Sequence, residues 1–409
     1  MAGKLMKTAA AGAATLAGAQ AAVVGGLLLW DRHRQKERGS RRPPQPGLFG
    51  TEVEESQMTI YTAGGPLFDD MVAAIDSAQT SVMLQTYIWQ NDAVGRRIMD
   101  ALNAAAARGV QVYVIYDLYG NHTVPRSFFG QLDPRISSHR MPPLQSQIWR
   151  GPIRYTGLSH SKILVVDDET GFVGGFNIGD EFAREWRDTH VREVGPAVWD
   201  LRQAFANVWN EGRSGSTRIG WIPPQSWNPR VRVASNLPVQ LVYPIRHMYL
   251  KAIERAEDRI WLTTPYFVPD QQVLKPLMRA ARRGVDVRIM LPKESNHVVV
   301  DWVTRGFYTD MLEAGVKVLL YTPAMIHSKT ATIDGVWSTI GTANIDRLSL
   351  GLNYETNLEV IDEGFAAEVE KVFEADAEHC ELLTAEEWQQ RPQAVRAVEL
   401  ALLPLRGIL

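Results

Sequence analysis

Six positions recur in this chain at a constant shift. His160, Lys162, Asp167, Gly174, Asn177 and Asp188 become His327, Lys329, Asp334, Gly341, Asn344 and Glu355 when 167 is added to each residue number. A single His, Lys and Asp beside an apolar alternating stretch would read as solvated turn residues. Six positions in register, five of them polar, point instead to one site assembled from two similar halves. The residue types fit phosphoryl chemistry. A histidine's unperturbed pKa lies near neutrality, so one neutral imidazole can attack while its protonated twin donates to a leaving group. Lys162 and Lys329 supply fixed positive charge, and Asn177 and Asn344 directional amide donors, for the oxygens of a phosphoryl group in transfer. An acidic residue such as Asp188 or Glu355 can accept from the second ring nitrogen of a His, which sets its tautomer and stabilises the imidazolium. This chemistry requires no metal and no organic cofactor, and the chain contains no CxxC or HExxH pattern. Asp167 and Asp334 stand five residues beyond each Lys. The far end of a short strand is about 15 Å from its start, so the spacing gives these two a structural more than a chemical task.

The pattern HxKxxxxD followed by GxxN, present twice, resembles the phospholipase D superfamily. Longer segments narrow the match: WRDTHVREVGPAV from Trp186, TTPYFVPD from Thr263 and DRLSLGLNYETN from Asp346 are similar to the bacterial cardiolipin synthase branch. The resemblance runs from about Tyr61 to about Cys380. It implies two pseudo-symmetric α/β sandwich domains with the site at their interface. His160, Lys162, Asp167, His327, Lys329 and Asp334 would form the catalytic motif, with His160 as nucleophile and His327 as acid. The implied reaction passes a phosphatidyl group between two phosphatidylglycerols through a phosphohistidine, giving cardiolipin and glycerol. A phospholipase D that releases phosphatidic acid is the alternative, since the same groups serve water as acceptor, and a superfamily endonuclease comes third. The chain departs from the family at a few points. Leu158, Ser159 and Ser161 flank His160 where Arg is usual beside the His, Gly175 and Thr342 replace the common Ser, and one N-terminal apolar segment stands where two are usual.

Composition agrees with a two-domain enzyme. A chain of 409 residues with 45% hydrophobic and 22% charged residues is long enough for two cores and is globular rather than disordered. A net charge of -3 gives no global reason to expect a nucleic-acid partner. With Cys380 as the single cysteine, an intramolecular disulfide is impossible, which fits a reducing compartment.

These residues must be mounted on regular elements. Helical patterns at 69–78 and 95–108 alternate with extended ones at 81–89 and 110–116, and the second half repeats the plan at 249–256, 260–266, 273–283 and 285–291. Alternating helices and strands predict an open α/β sheet in each half. After each motif an amphipathic helix is expected, with Val198, Leu201, Phe205 and Val208 sharing one face of the first and Phe365, Val369, Val372 and Phe373 sharing one face of the second. The expected domains are 48–212 and 239–409, joined by a Pro-rich connector at 213–238. Residues 121–152 read as a lid or an apolar path for acyl chains, or as ordinary core. The stretch from Glu386 to Leu403 reads as a membrane-surface segment or as a cover on the second domain.

Residues 1–47 are expected to lie outside the fold, as a membrane helix and a basic, Pro-containing linker. Thr8 to Trp30 carries no charge, and its 23 residues could span a hydrocarbon layer of about 30 Å as a helix. A cleaved signal peptide is the alternative reading. The six Lys or Arg that follow predict a cytoplasmic catalytic body held at the cell membrane by this one anchor.

Overall fold

The computed structural model describes residues 18, 20–34, 36, 41–145, 147–151, 154–224 and 226–407. Two eight-stranded mixed sheets form the body. In the first sheet the strands run Leu48–Val53, Ser56–Tyr61, His190–Val194, Thr170–Gly174, Ile163–Val166, Ser81–Thr86, Gln111–Asp117 and Ser137–Met141. The second runs Val231–Ser235, Thr356–Ile361, Trp337–Gly341, Thr330–Ile333, Arg259–Thr263, Asp286–Pro292, Lys317–Tyr321 and Cys380–Leu383. The α/β reading of the sequence holds.

In each sheet the strand after the HxK motif pairs antiparallel with the strand that ends on a motif glycine, and on its other side with Ser81–Thr86 in the first half or Arg259–Thr263 in the second. Alternation decides which way each residue faces. Leu164 and Val166 join the helix-covered core of the first half, whereas Ile163 and Val165 face a cluster that also contains Ile340, Leu358 and Val360 from the second. The two halves therefore share a core. The expected helices form at Val198–Trp209 and Glu363–Ala377, and all eight apolar residues named for their faces are buried.

Short parallel pairings stitch the halves together at the motifs. Met325–Ile326 pairs with Trp186–Arg187, and Ser159 bridges Tyr354. Hydroxyls repeat the same symmetry: Ser161 Oγ lies 2.9 Å from Thr356 Oγ1, and Thr189 Oγ1 donates to Ser328 Oγ at 3.0 Å.

The N-terminal segment differs from expectation. Among the described residues no helix is long and apolar enough to cross a membrane, and residues 8–17 and 19 of the expected span lie outside the described residues. The described helical residues 20–34 pack on the second half instead of standing apart from it. Leu27 is 9% exposed within the second-half core, Val23 and Val24 lie against the same cluster, and Gln20 Nε2 donates to the Ala401 carbonyl at 3.1 Å. At the other terminus Trp388 and Leu402 are buried in that core, so the C-terminal segment covers the second half.

Candidate active site

Each motif histidine is held from both ends, and both holds come from the opposite half. The His160 amide donates to the Tyr354 carbonyl at 2.9 Å, and its Nδ1 lies 3.0 Å from both Glu355 carboxylate oxygens. The His327 amide donates to the Arg187 carbonyl at 2.6 Å, and its Nδ1 lies 2.6 Å from Asp188 Oδ2. Because Nδ1 faces a carboxylate, the neutral rings carry their proton there, and each Nε2 keeps the lone pair that can attack or accept.

The carboxylates are themselves fixed. Thr189 N donates to Asp188 Oδ1 at 2.7 Å, and Thr342 Oγ1 donates to Glu355 Oε2 at 2.5 Å. The departures at Gly175 and Thr342 now have a geometric reason. A Cβ at Gly175 would meet Asp188 Oδ1 at 2.0 Å, so a side chain there would displace that carboxylate. The equivalent Thr342 instead uses its hydroxyl to hold Glu355. The close sheet packing extends one residue back, where a Cβ on Gly174 would come within 2.5 Å of His190 Cα.

Lys162 and Lys329 are 2% and 1% exposed, and each ammonium donates to the carbonyl of its own motif histidine. Burial lowers Lys162 to about 8, opposed by Glu355, Asp188 and Asp117, and lowers Lys329 to about 7, opposed chiefly by Asp188. Burial also lowers His160, with Glu355 pulling the other way, and pushes His327 well below its usual value with help from Lys329 and Lys162. Both imidazoles therefore favour the neutral form before an anion enters. A phosphodiester between two ammonium groups would offset that charge and let one imidazole take a proton.

Asn177 accepts from the Ile88 amide at 3.2 Å through Oδ1, which leaves its amino group to donate. Asn344 places Nδ2 3.4 Å from Ser349 Oγ. The structure thus brings His160, Lys162, Asp188, His327, Lys329 and Glu355 together between the halves. Asp167 and Asp334 stand at the other end of the motif strands. Asp167 accepts from the amides of Gln79, Thr80 and Ser81, and Asp334 from those of Glu257, Asp258 and Arg259. Both residues adopt φ 54° and tie the strand end to the preceding helix–strand junction, away from the histidines. Their place is structural.

Sequence reasoning missed the aromatic walls. The Tyr87 ring meets His160 edge-on at 4.8 Å, and Trp186 and Tyr266 meet His327 at 4.9 and 6.2 Å. Tyr87 directly follows the strand Ser81–Thr86 and Tyr266 closely follows the equivalent Arg259–Thr263, which was the available signal. In the 121–152 region Phe128 is fully buried against Trp89, while Leu144 and Trp149 are 60% and 76% exposed. The first part of that stretch is therefore core, and among its described residues the large exposed apolar side chains are Leu144 and Trp149.

The profile described as "Cardiolipin synthase, PLD-like domain" matches residues 71–209 and 249–377. The chain is 35% identical over 347 residues to cardiolipin synthase A of Pseudomonas putida, covering 82% of this chain and 72% of that one. It is 34% identical over 359 residues to the major cardiolipin synthase ClsA of Bacillus subtilis, covering 85% and 74%. In fold it is similar to the phosphatidylserine synthase of Haemophilus influenzae, with a TM-score of 0.65 at 15% identity over 88% of this chain and 95% of that one.

Proposed function

The chain belongs to the phospholipase D superfamily, in its cardiolipin synthase branch, and we propose that its two crossed histidine–carboxylate pairs carry out phosphatidyl transfer through a covalent phosphohistidine. It is a phospholipid phosphatidyltransferase of the cardiolipin synthase type. The observation that carries the mechanism is that both rings are held through Nδ1 by a carboxylate of the opposite half, which leaves two Nε2 atoms for one phosphorus.

In the first step His160 Nε2 attacks phosphorus of one phosphatidylglycerol. The bond from phosphorus to the head-group glycerol oxygen breaks, and protonated His327 gives that oxygen its proton. In the second, a head-group hydroxyl of another phosphatidylglycerol attacks the phosphohistidine. Neutral His327 takes the hydroxyl proton, the nitrogen–phosphorus bond breaks, and cardiolipin leaves. Lys162, Lys329, Asn177 and Asn344 hold the non-bridging oxygens through both steps. Asp188 and Glu355 stabilise whichever ring is cationic.

Membrane attachment through the N-terminal segment belongs to the same proposal, with the catalytic body on the cytoplasmic side. Supporting it are the exposed Leu28, Leu29 and Trp30, at 48%, 67% and 49%, followed by the basic run from Arg32. The deciding experiment is incubation of the purified protein with phosphatidylglycerol and identification of products by mass. Cardiolipin and free glycerol in equal amounts are expected. Phosphatidic acid as the sole product, with lipid acceptor abundant, would move the assignment to phospholipase D.

A further inference from the structure

The residues that precede the two site carboxylates also tie the halves together, and the two ties differ in kind. Ahead of Asp188, Arg187 donates Nε and Nη2 to the Asp376 carboxylate at 2.9 and 2.7 Å, with both side chains buried. Ahead of Glu355, Tyr354 donates its phenol to Glu211 Oε2 at 2.7 Å and accepts from Gln145 Nε2 at 3.0 Å. The first tie is a buried ion pair that holds only if both partners stay. The second is a neutral donor placed between a half-buried carboxylate and a loop amide, so its bond to the loop can open while the other remains.

Gln145 belongs to the segment that leads into His160. The segment closes on itself where Gln145 N donates to the Tyr155 carbonyl at 2.9 Å and Gly157 N to the Pro143 carbonyl at 3.2 Å. It carries the exposed Leu144 and Trp149. It then runs along Tyr354: Tyr354 N donates to the Leu158 carbonyl at 3.0 Å, and Leu158 N donates to Asn353 Oδ1 at 3.1 Å. One residue, 1% exposed, thus contacts the segment through its hydroxyl, holds the main chain of His160 through its carbonyl, and precedes the carboxylate that orients the ring.

Taking the phosphatidyltransferase reading as given, we propose that Tyr354 is a positioning residue whose hydroxyl latches residues 142–145, paired with 154–157, beside His160, so that lipid alcohol rather than water reaches the phosphohistidine. Water is the acceptor present everywhere, and a transferase must exclude it while the covalent intermediate waits. The latch stands on the side of His160, the ring that carries the intermediate, whereas the His327 side has the fixed ion pair.

The test uses the full chain with Tyr354→Phe, Gln145→Ala and Glu211→Gln, on phosphatidylglycerol vesicles. Removing one end of this hydrogen bond should speed amide exchange at 142–145 and 154–157 several-fold in the first two variants. The phosphatidic acid fraction should rise about three- to tenfold while total turnover falls less than about threefold. Glu211→Gln keeps an oxygen to accept from the phenol and should retain the wild-type product ratio. Tyr354→Phe with unchanged exchange, or with faster exchange and an unchanged product ratio, overturns the latch. If the wild type yields phosphatidic acid alone, the synthase reading fails by itself. The latch is then judged by exchange and hydrolysis rate: faster in both supports it, and no change in either overturns it.

Discussion

His160 and the carboxylate that orients it, Glu355, lie in different halves of the chain, 3.0 Å apart through Nδ1. The reciprocal pair, His327 and Asp188, crosses the other way. Neither half alone contains an oriented histidine. Glu355→Gln and Asp188→Asn should each lower kcat by on the order of 10³- to 10⁴-fold with the fold kept, because an amide in place of the carboxylate loses the stabilised imidazolium and favours the wrong tautomer. Thermal unfolding alongside single-turnover rates checks this. A loss below about tenfold in either variant would show that the crossed pairs are packing contacts only.

The roles of the two rings separate with an activated substrate. A phosphodiester whose leaving group is a nitrophenolate needs no protonation to depart. His327→Ala should therefore release one equivalent of nitrophenolate in a burst and retain an acid-labile phosphoryl label, whereas His160→Ala should give neither. A burst from His160→Ala and none from His327→Ala would exchange the assignments.

Much of this site was legible in the sequence because a fixed shift relates the two halves. The motif strands Ile163–Val166 and Thr330–Ile333 obey it to the residue. The crossing was not legible, since each half contains its own histidine and its own carboxylate at equal spacing, and only docking of the halves decides which meet. Tyr87, Trp186 and Tyr266 were missed for a similar reason: each comes from a segment distant in sequence from the histidine it touches. The N-terminal stretch was legible as an apolar helix but not as a packed one: an apolar run that satisfies the length rule for a span does not reveal that Val23, Val24 and Leu27 meet the second half.

Activity should fall on the alkaline side earlier than ordinary lysines would allow. Each lysine works as an ammonium, the form present below its pKa, and burial lowers Lys329 to about 7 and Lys162 to about 8. Raising the pH through that range removes positive charge from the empty site, so kcat/KM should decline between about 7 and 8, with apparent values belonging to the coupled pair. A bound phosphodiester favours the ammonium form, so the decline in kcat should lie at higher pH. A kcat/KM flat from pH 6 to 9 on a neutral-surface substrate dispersion would count against lysine ammonium groups as the oxyanion partners.

The N-terminal helix has two faces with separable tasks, and single substitutions distinguish them. Leu27 is 9% exposed within the second-half core, whereas Leu29, two residues on, is 67% exposed. Leu27→Ala removes buried apolar surface and leaves a gap, so it should cost about 2–3 kcal/mol and lower the melting temperature by several degrees. Leu29→Ala touches no core and should leave the melting temperature in place. If the exposed face meets lipid, Leu29→Ala should instead weaken binding to anionic vesicles by about tenfold or more, since each apolar side chain withdrawn from water adds about 1.5–3 kcal/mol of attraction. Deleting residues 1–42 should combine both losses. A deletion that keeps full thermal stability would show that the helix does not cover the second-half core in solution, and vesicle binding unchanged in Leu29→Ala would remove that face from the membrane contact.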